Sequence, residues 1–166
     1  EFQNIHATHG EPVDARDNCL DHITYLENPT REIVNTGIIY RKVWDGGGAN
    51  DNWSTGESWL GDIAPTELDE VVFDDTGSDN CIVDTDIDVG TIEVKDLYSG
   101  SVDFGANTAS ISRGFFNIKF GTCTTDQLSV IFTGSENQSM VCQDGTVFQS
   151  LENQNSDGIV TFTSSI

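Results

Sequence analysis

The residues best placed to do chemistry lie in IVDTDIDVG, residues 82–90, where Asp84, Asp86 and Asp88 recur at every second position. On an extended strand this spacing sends all three carboxylates to one face and Val83, Thr85, Ile87 and Val89 to the other. Neighbouring carboxylates then stand roughly 7 Å apart, so adjacent side chains could share a hard cation. Calcium is the ion such oxygens would take, and the preceding loop DDTGSDN, residues 74–80, adds more of them without supplying the bidentate Glu of an EF-hand. A solvated acidic face is the simpler reading of the same three residues. No other cofactor is implied.

Beyond these aspartates the chemistry thins out. His6, His9 and His22 all fall in the first quarter of the chain, so the remainder offers no imidazole as a general base, and HATH at residues 6–9 is a weak metal pair. Carboxylate pairs suited to glycoside hydrolysis abound, but in so acidic a chain their proximity is expected without any such activity. Lys95, Arg113 and Lys119 are the only cations after residue 43, too few to bind and deprotonate an acidic sugar. No nucleophile elbow or phosphate-binding loop occurs. The expectation is a protein that is not an enzyme.

Four cysteines, Cys19, Cys81, Cys123 and Cys142, have no CxxC or other metal spacing. Their even number suggests two disulfides formed in an oxidising, extracellular compartment. Cys19 with Cys81 and Cys123 with Cys142 is the favoured pairing of the three available; buried free thiols are the alternative.

The elements that must carry these residues follow from composition. With 7 basic against 28 acidic residues in 166, the net charge is −21, which argues against nucleic acid and anionic membranes as partners. No run of 18 apolar residues is available to insert in a membrane. The chain opens on Glu1 without a signal-peptide pattern, as a processed product would, or as a piece of a longer protein. Charge is uneven: residues 1–43 carry 7 acids and 4 bases, leaving 21 and 3 for residues 44–166. The first segment reads as an extended N-terminal arm. The second, in which Gly, Ser, Thr, Asn and Asp punctuate short β-prone runs, reads as an all-β body.

That body repeats. Phe73, Phe104, Phe132 and Phe162 close the runs EVVF, SVDF, SVIF and IVTF at intervals of about 30 residues, a period within the range of repeat architectures. Units of this kind cannot bury their Val and Phe alone, so stacking them about 4.8 Å apart would line the phenylalanines up inside a solenoid of about four coils. A β-sandwich or jelly roll, whose strands alternate in the same way, is the competing architecture.

The segment WDGGGANDNWSTGESWLGDIAPTELDEVVF, residues 44–73, holds all three tryptophans and resembles the autotransporter-associated β-strand repeat of secreted bacterial β-helix proteins. The resemblance runs through Trp44, Gly46, Gly47, Asn52, Trp53, Ser54, Trp59, Pro65, Asp69, Val71 and Phe73, with Ser58 where an Asn is usual. It implies a right-handed parallel β-helix on an exported protein, and no catalytic residue. Physically, three indoles beside a flexible glycine run suit an apolar lid on the first coil, whose edge would otherwise be bare. Exposed, the same indoles would instead form a platform for sugar rings, as an adhesin or carbohydrate-binding module needs.

The arm completes the expectation. Ile38, Ile39 and Tyr40 beside Arg41 and Lys42 could pair with a sheet edge, either capping their own body or joining a second copy by strand addition. Open-ended contacts of the second kind generate filaments. The sequence therefore points to a secreted, self-assembling subunit of a surface fibre or layer whose partners are copies of itself. A glycan-binding module and, further off, a polysaccharide-degrading β-helix enzyme are the other readings.

Overall fold

The computed structural model describes residues 40–165; Cys19, the three histidines, Ile38 and Ile39 lie outside the described residues. The described chain winds as a parallel β-solenoid of about four turns. After a first strand β1 (Arg41–Val43), each of the first three turns lays one strand on each of three sheets. The first turn holds β2 (Glu70–Phe73), β3 (Cys81–Ile82) and β4 (Ile87–Val89). The second holds β5 (Thr91–Val94), β6 (Ser101–Asp103) and β7 (Thr108–Ile111). The third holds β8 (Phe115–Ile118), β9 (Thr122–Thr124) and β10 (Ser129–Phe132). The fourth holds β11 (Gln138–Gln143) and β12 (Ser150–Asn153), and β13 (Val160–Ser165) begins a fifth.

The first sheet is ordered β1-β2-β5-β8-β11-β13, the second β3-β6-β9 and the third β4-β7-β10-β12, every pairing being parallel. The sandwich alternative is thereby excluded. Short alternating runs favour this winding because each strand shows one residue inward and the next to solvent. Val71, Ile92, Phe116, Met140 and Phe162 form one interior column, and Ile87, Ala109, Val130 and Leu151 another. Each wholly buried Val, Ile, Phe or Met among them contributes on the order of 1.5–3 kcal/mol of hydrophobic stabilisation.

The register corrects the expected period. In the second sheet Cys81 pairs with Val102 and Ser101 with Thr122; in the third Thr108 pairs with Ser129 and Ser129 with Ser150, the same stride along the chain each time. The first sheet keeps that stride from Glu70 to Thr91 and lengthens it slightly from Ile92 to Phe116. One coil is therefore 21–24 residues long, near the short end of the range for stacked repeats. The four phenylalanines, spaced more widely than this, do not stack. Phe73 lies on the first sheet, Phe104 directly after β6 on the second, Phe132 on the third and Phe162 on the first again. Their interval is one turn plus one face.

The corners explain how the coil length stays within a few residues despite unequal connections. Between the third and first sheets the links lengthen from Gly90 alone to residues 112–114, 133–137 and 154–159, while those from the first to the second shorten from 74–80 to 95–100 and 119–121. Side-chain amides serve the corner backbone. Asn107 Nδ2 donates to the carbonyls of Val83 and Phe104, and Gln138 Nε2 to that of Ile111 at 2.7 Å. The Asn107 bonds serve corner carbonyls, and the Gln138 bond adds to the Thr133 N–H that the Ile111 carbonyl already accepts.

The body also begins three residues earlier than its change of composition. Residues 41–43 belong to the edge strand β1, and Arg41 Nη2 meets Asp74 Oδ2 at 2.9 Å within the same body, so this guanidinium serves its own surface.

Candidate functional site

The two ends of the solenoid differ, and the difference starts with the tryptophans. Trp44 continues β1, its N–H donating to the Val72 carbonyl at 3.0 Å. The chain then crosses the end of the core, and Asn52 adds a single parallel rung to the second sheet against Ile82. A 3-10 turn, Gly56–Ser58, reverses it, so that Trp59 pairs antiparallel with Trp44 and Leu60 N–H donates to the Val43 carbonyl at 2.9 Å. Residues 58–60 thus pair with the chain where it leaves β1, from the Val43 carbonyl to the Asp45 and Gly46 N–H groups.

The three indoles interlock beneath this crossing. Trp59 lies edge-on to Trp44 at 5.1 Å and to Trp53 at 4.8 Å, and all three surround Phe73 at 5.9–6.2 Å. Trp59 Nε1 donates to the Trp53 carbonyl at 2.8 Å and Trp44 Nε1 to the Asp79 carbonyl at 3.0 Å, so neither indole N–H is lost on burial. The same Asp79 carbonyl accepts the Tyr98 hydroxyl at 2.7 Å. Burial, followed by nearby charges, pushes the Tyr98 phenol well above its ordinary range. Gly77 allows the close approach: a Cβ there would sit 2.5 Å from the Trp44 carbonyl oxygen. Trp44, Trp53 and Trp59 are at most 3% exposed, which corrects their reading as interaction residues. A sugar ring cannot stack on a buried indole.

The aspartates are not gathered as a cation site. Residues 83–86 form a corner rather than a strand, and only Ile87–Val89 is extended in a ladder. Asp84 accepts the Ser54 hydroxyl at 2.6 Å and the Ser54 N–H at 3.0 Å; burial alone would raise its pKa, but these two bonds hold it below the usual carboxylate value. Asp86 accepts the Thr108 N–H at 2.7 Å. Asp88 is raised by burial and by the nearby Glu67. Among the described residues no three His, Cys, Asp or Glu side chains converge as metal ligands.

A cleft of about 220 Å3 runs beside β4, lined by Trp53, Ser54, Ala64, Pro65, Asp86 and Asp88 among others. It arises because the lid adds no strand to the third sheet, and it falls below the roughly 300 Å3 at which small-molecule sites begin.

Cys81, Cys123 and Cys142 are free thiols, which corrects both expected disulfides. Cys81 and Cys123 lie two rungs apart in the second sheet, with Val102 between them, and Cys142 lies in the first sheet against Ile118. Burial pushes the Cys123 thiol up to about 12 and Cys81, helped by Asp84 and Asp51, higher still. They pack as small hydrophobes.

At the opposite end the columns stop uncovered. Phe116 and Met140 are at most 1% exposed, whereas Phe162, next in their column, is 54% exposed; Leu151, beyond the buried Val130, is 46% exposed. Val147 and Ile159 are exposed beside them. Among the described residues, β12 and β13 each have a strand on one side only. Sequence reading missed this end because Leu151 and Phe162 follow the same inward alternation as their buried counterparts. Nothing local marks the last rung.

No family model matches the chain, and no curated protein or solved structure matches it significantly.

Proposed function

We propose that this protein is a noncatalytic structural subunit of an extracellular fibre or surface layer, which assembles with copies of itself through its N-terminal arm. The observation that supports this reading is the solenoid itself: short parallel coils stacked on one continuous apolar core, with a tryptophan lid over the first. The small cleft and the dispersed carboxylates support a structural role over a catalytic one. With free thiols in the body, secretion is supported by the resemblance of residues 44–73 to exported β-helix repeats and not by disulfides.

A module of a larger secreted β-helix protein, adhesin-like in role, is the second reading. It is favoured by that resemblance and by the open end, which further coils would cover. The test is light scattering with negative-stain microscopy on the purified chain, with and without residues 1–37. Filaments that disappear with the deletion support the subunit; a monodisperse monomer in both forms overturns it and leaves the module.

A further inference from the structure

Resting on that reading of self-assembly, we infer a side contact between copies that does not use the arm: the corner carrying Lys95 and Lys119 docks on residues 57–68 of a second copy. Lys42, Lys95 and Lys119 are the only lysines in the chain. Lys95 is the first residue after β5 and Lys119 the first after β8, and these two strands pair, so both side chains leave the same corner of neighbouring coils, one rung or about 4.8 Å apart. Lys95 reaches Glu93 at 3.8 Å, while Lys119 has no carboxylate partner among the described residues and holds its Nζ 5.3 Å from the centre of the Phe120 ring. On the same two links Leu97 is 64% and Phe120 38% exposed. These links, residues 95–100 and 119–121, carry two lysines against Asp96 alone in a chain of net charge −21. Their coils have strands stacked on both sides, so this surface belongs to the flank of the solenoid.

Residues 57–68 are its complement. Leu60, Ile63 and Leu68 are exposed there, and Glu57, Asp62 and Glu67 stand exposed among them with no cation in the segment. Docking would bury apolar against apolar while the lysines meet carboxylates, which answers both parts of each surface. A purely acidic partner would answer the lysines and leave Leu97 and Phe120 bare.

The two surfaces cannot meet within one chain. The Glu67 carbonyl accepts the Ser112 hydroxyl at 3.1 Å, which holds the loop at the corner between the third and first sheets, whereas Lys95 and Lys119 stand between the first and second. Each copy therefore offers both surfaces, and the contact can pass from copy to copy.

The experiment uses the full chain. Unlabelled and 15N-labelled protein are mixed under assembly conditions and treated with a zero-length carbodiimide, which condenses lysine amines with carboxylates in direct contact. Cross-links from Lys95 or Lys119 of one chain to Glu57, Asp62 or Glu67 of another are the expected result. Assembly whose intermolecular cross-links run to other carboxylates, start from Lys42 alone or do not form overturns the contact while leaving self-assembly intact. Absence of assembly overturns the subunit reading and the contact with it. Charge reversal supplies a second measurement. A chain with Lys95→Glu and Lys119→Glu, and another with Glu57→Lys and Glu67→Lys, should each need a concentration about tenfold or more higher to sediment to the same extent at low salt, because like charges then face each other. An equimolar mixture of the two should recover the original behaviour. Unchanged sedimentation of either variant alone, or a mixture no better than its parts, also overturns the inference; where a variant fails to fold, the cross-link map of the unsubstituted chain decides.

Discussion

Replacing Trp59 by alanine tests whether the lid holds the first coil. Loss of a buried Trp side chain costs about 3–5 kcal/mol through lost transfer energy and residual cavity. Here three aromatic contacts at 4.8–5.9 Å vanish together, each worth about 0.5–1.5 kcal/mol beyond area. The Trp53 carbonyl also loses its indole donor. Because the site lies at the end of the solenoid, water can enter the vacated volume and hydrate that carbonyl, which holds the expected loss to about 4 kcal/mol. With a urea slope of about 2 kcal/mol/M, the midpoint followed by far-ultraviolet circular dichroism should fall by about 2 M. Leu60→Ala is the control, because the neighbouring Leu60 is 60% exposed and should cost no more than about 0.5 kcal/mol. Stability in a stacked fold is nearest-neighbour in character, so hydrogen exchange should accelerate in β1 and β2 before β10 and β11. A Trp59→Ala loss within about 1 kcal/mol of the Leu60→Ala loss would refute the lid.

Three further outcomes are expected. At pH 8 the native protein should leave Cys81 and Cys123 unalkylated, because their raised pKa values and burial deny them thiolate character, and denaturation should expose both as thiols to mass spectrometry. Ser54→Ala should cost less than about 1.5 kcal/mol near neutral pH and raise the Asp84 pKa in an NMR titration. The depressed folded pKa of Asp84 stabilises the protein above the ordinary carboxylate value of 3.8, a contribution lost as pH falls through the folded value, so the variant should show a shallower loss of stability in acid. Gly77→Ala, which drives a methyl against the Trp44 carbonyl, should lower the urea midpoint with a cost of about 1–3 kcal/mol, while circular dichroism shows the strands retained.

Much of the architecture was legible because it depends on local patterns. Alternating runs such as SVIF, divided by Asn, Gly and Asp, specify strands and corners, and three indoles beside three glycines specify a lid. What escaped depends on comparison between distant coils. The Asp84, Asp86, Asp88 alternation looks like a strand, yet Asn107 and Thr108 of the next turn draw the backbone into a corner. Cys81 and Cys123 suggested bonding by number alone, whereas their separation of two coils, with Val102 midway, is a trace of the true period. The open end was illegible for a related reason: Leu151 is a core residue by pattern, and only the absence of a rung above it leaves it bare.

The phenylalanines that advance one face per turn act as a spiral staircase of bulk, with no two successive treads on the same wall. Over the first three storeys a different wall receives such a ring each time, the first at Phe73, the second at Phe104 and the third at Phe132. Duplicating or deleting one register step, such as the stretch from Ser129 up to its partner Ser150, would add or remove a whole storey and leave the rings above it on their walls. An insertion as long as the interval from Phe132 to Phe162, although it matches the visible rhythm of the phenylalanines, would rotate everything beyond it by a face and set inward residues against outward ones. Tolerance to duplication in this chain should therefore follow the concealed rhythm of the coil rather than the conspicuous rhythm of its aromatic residues.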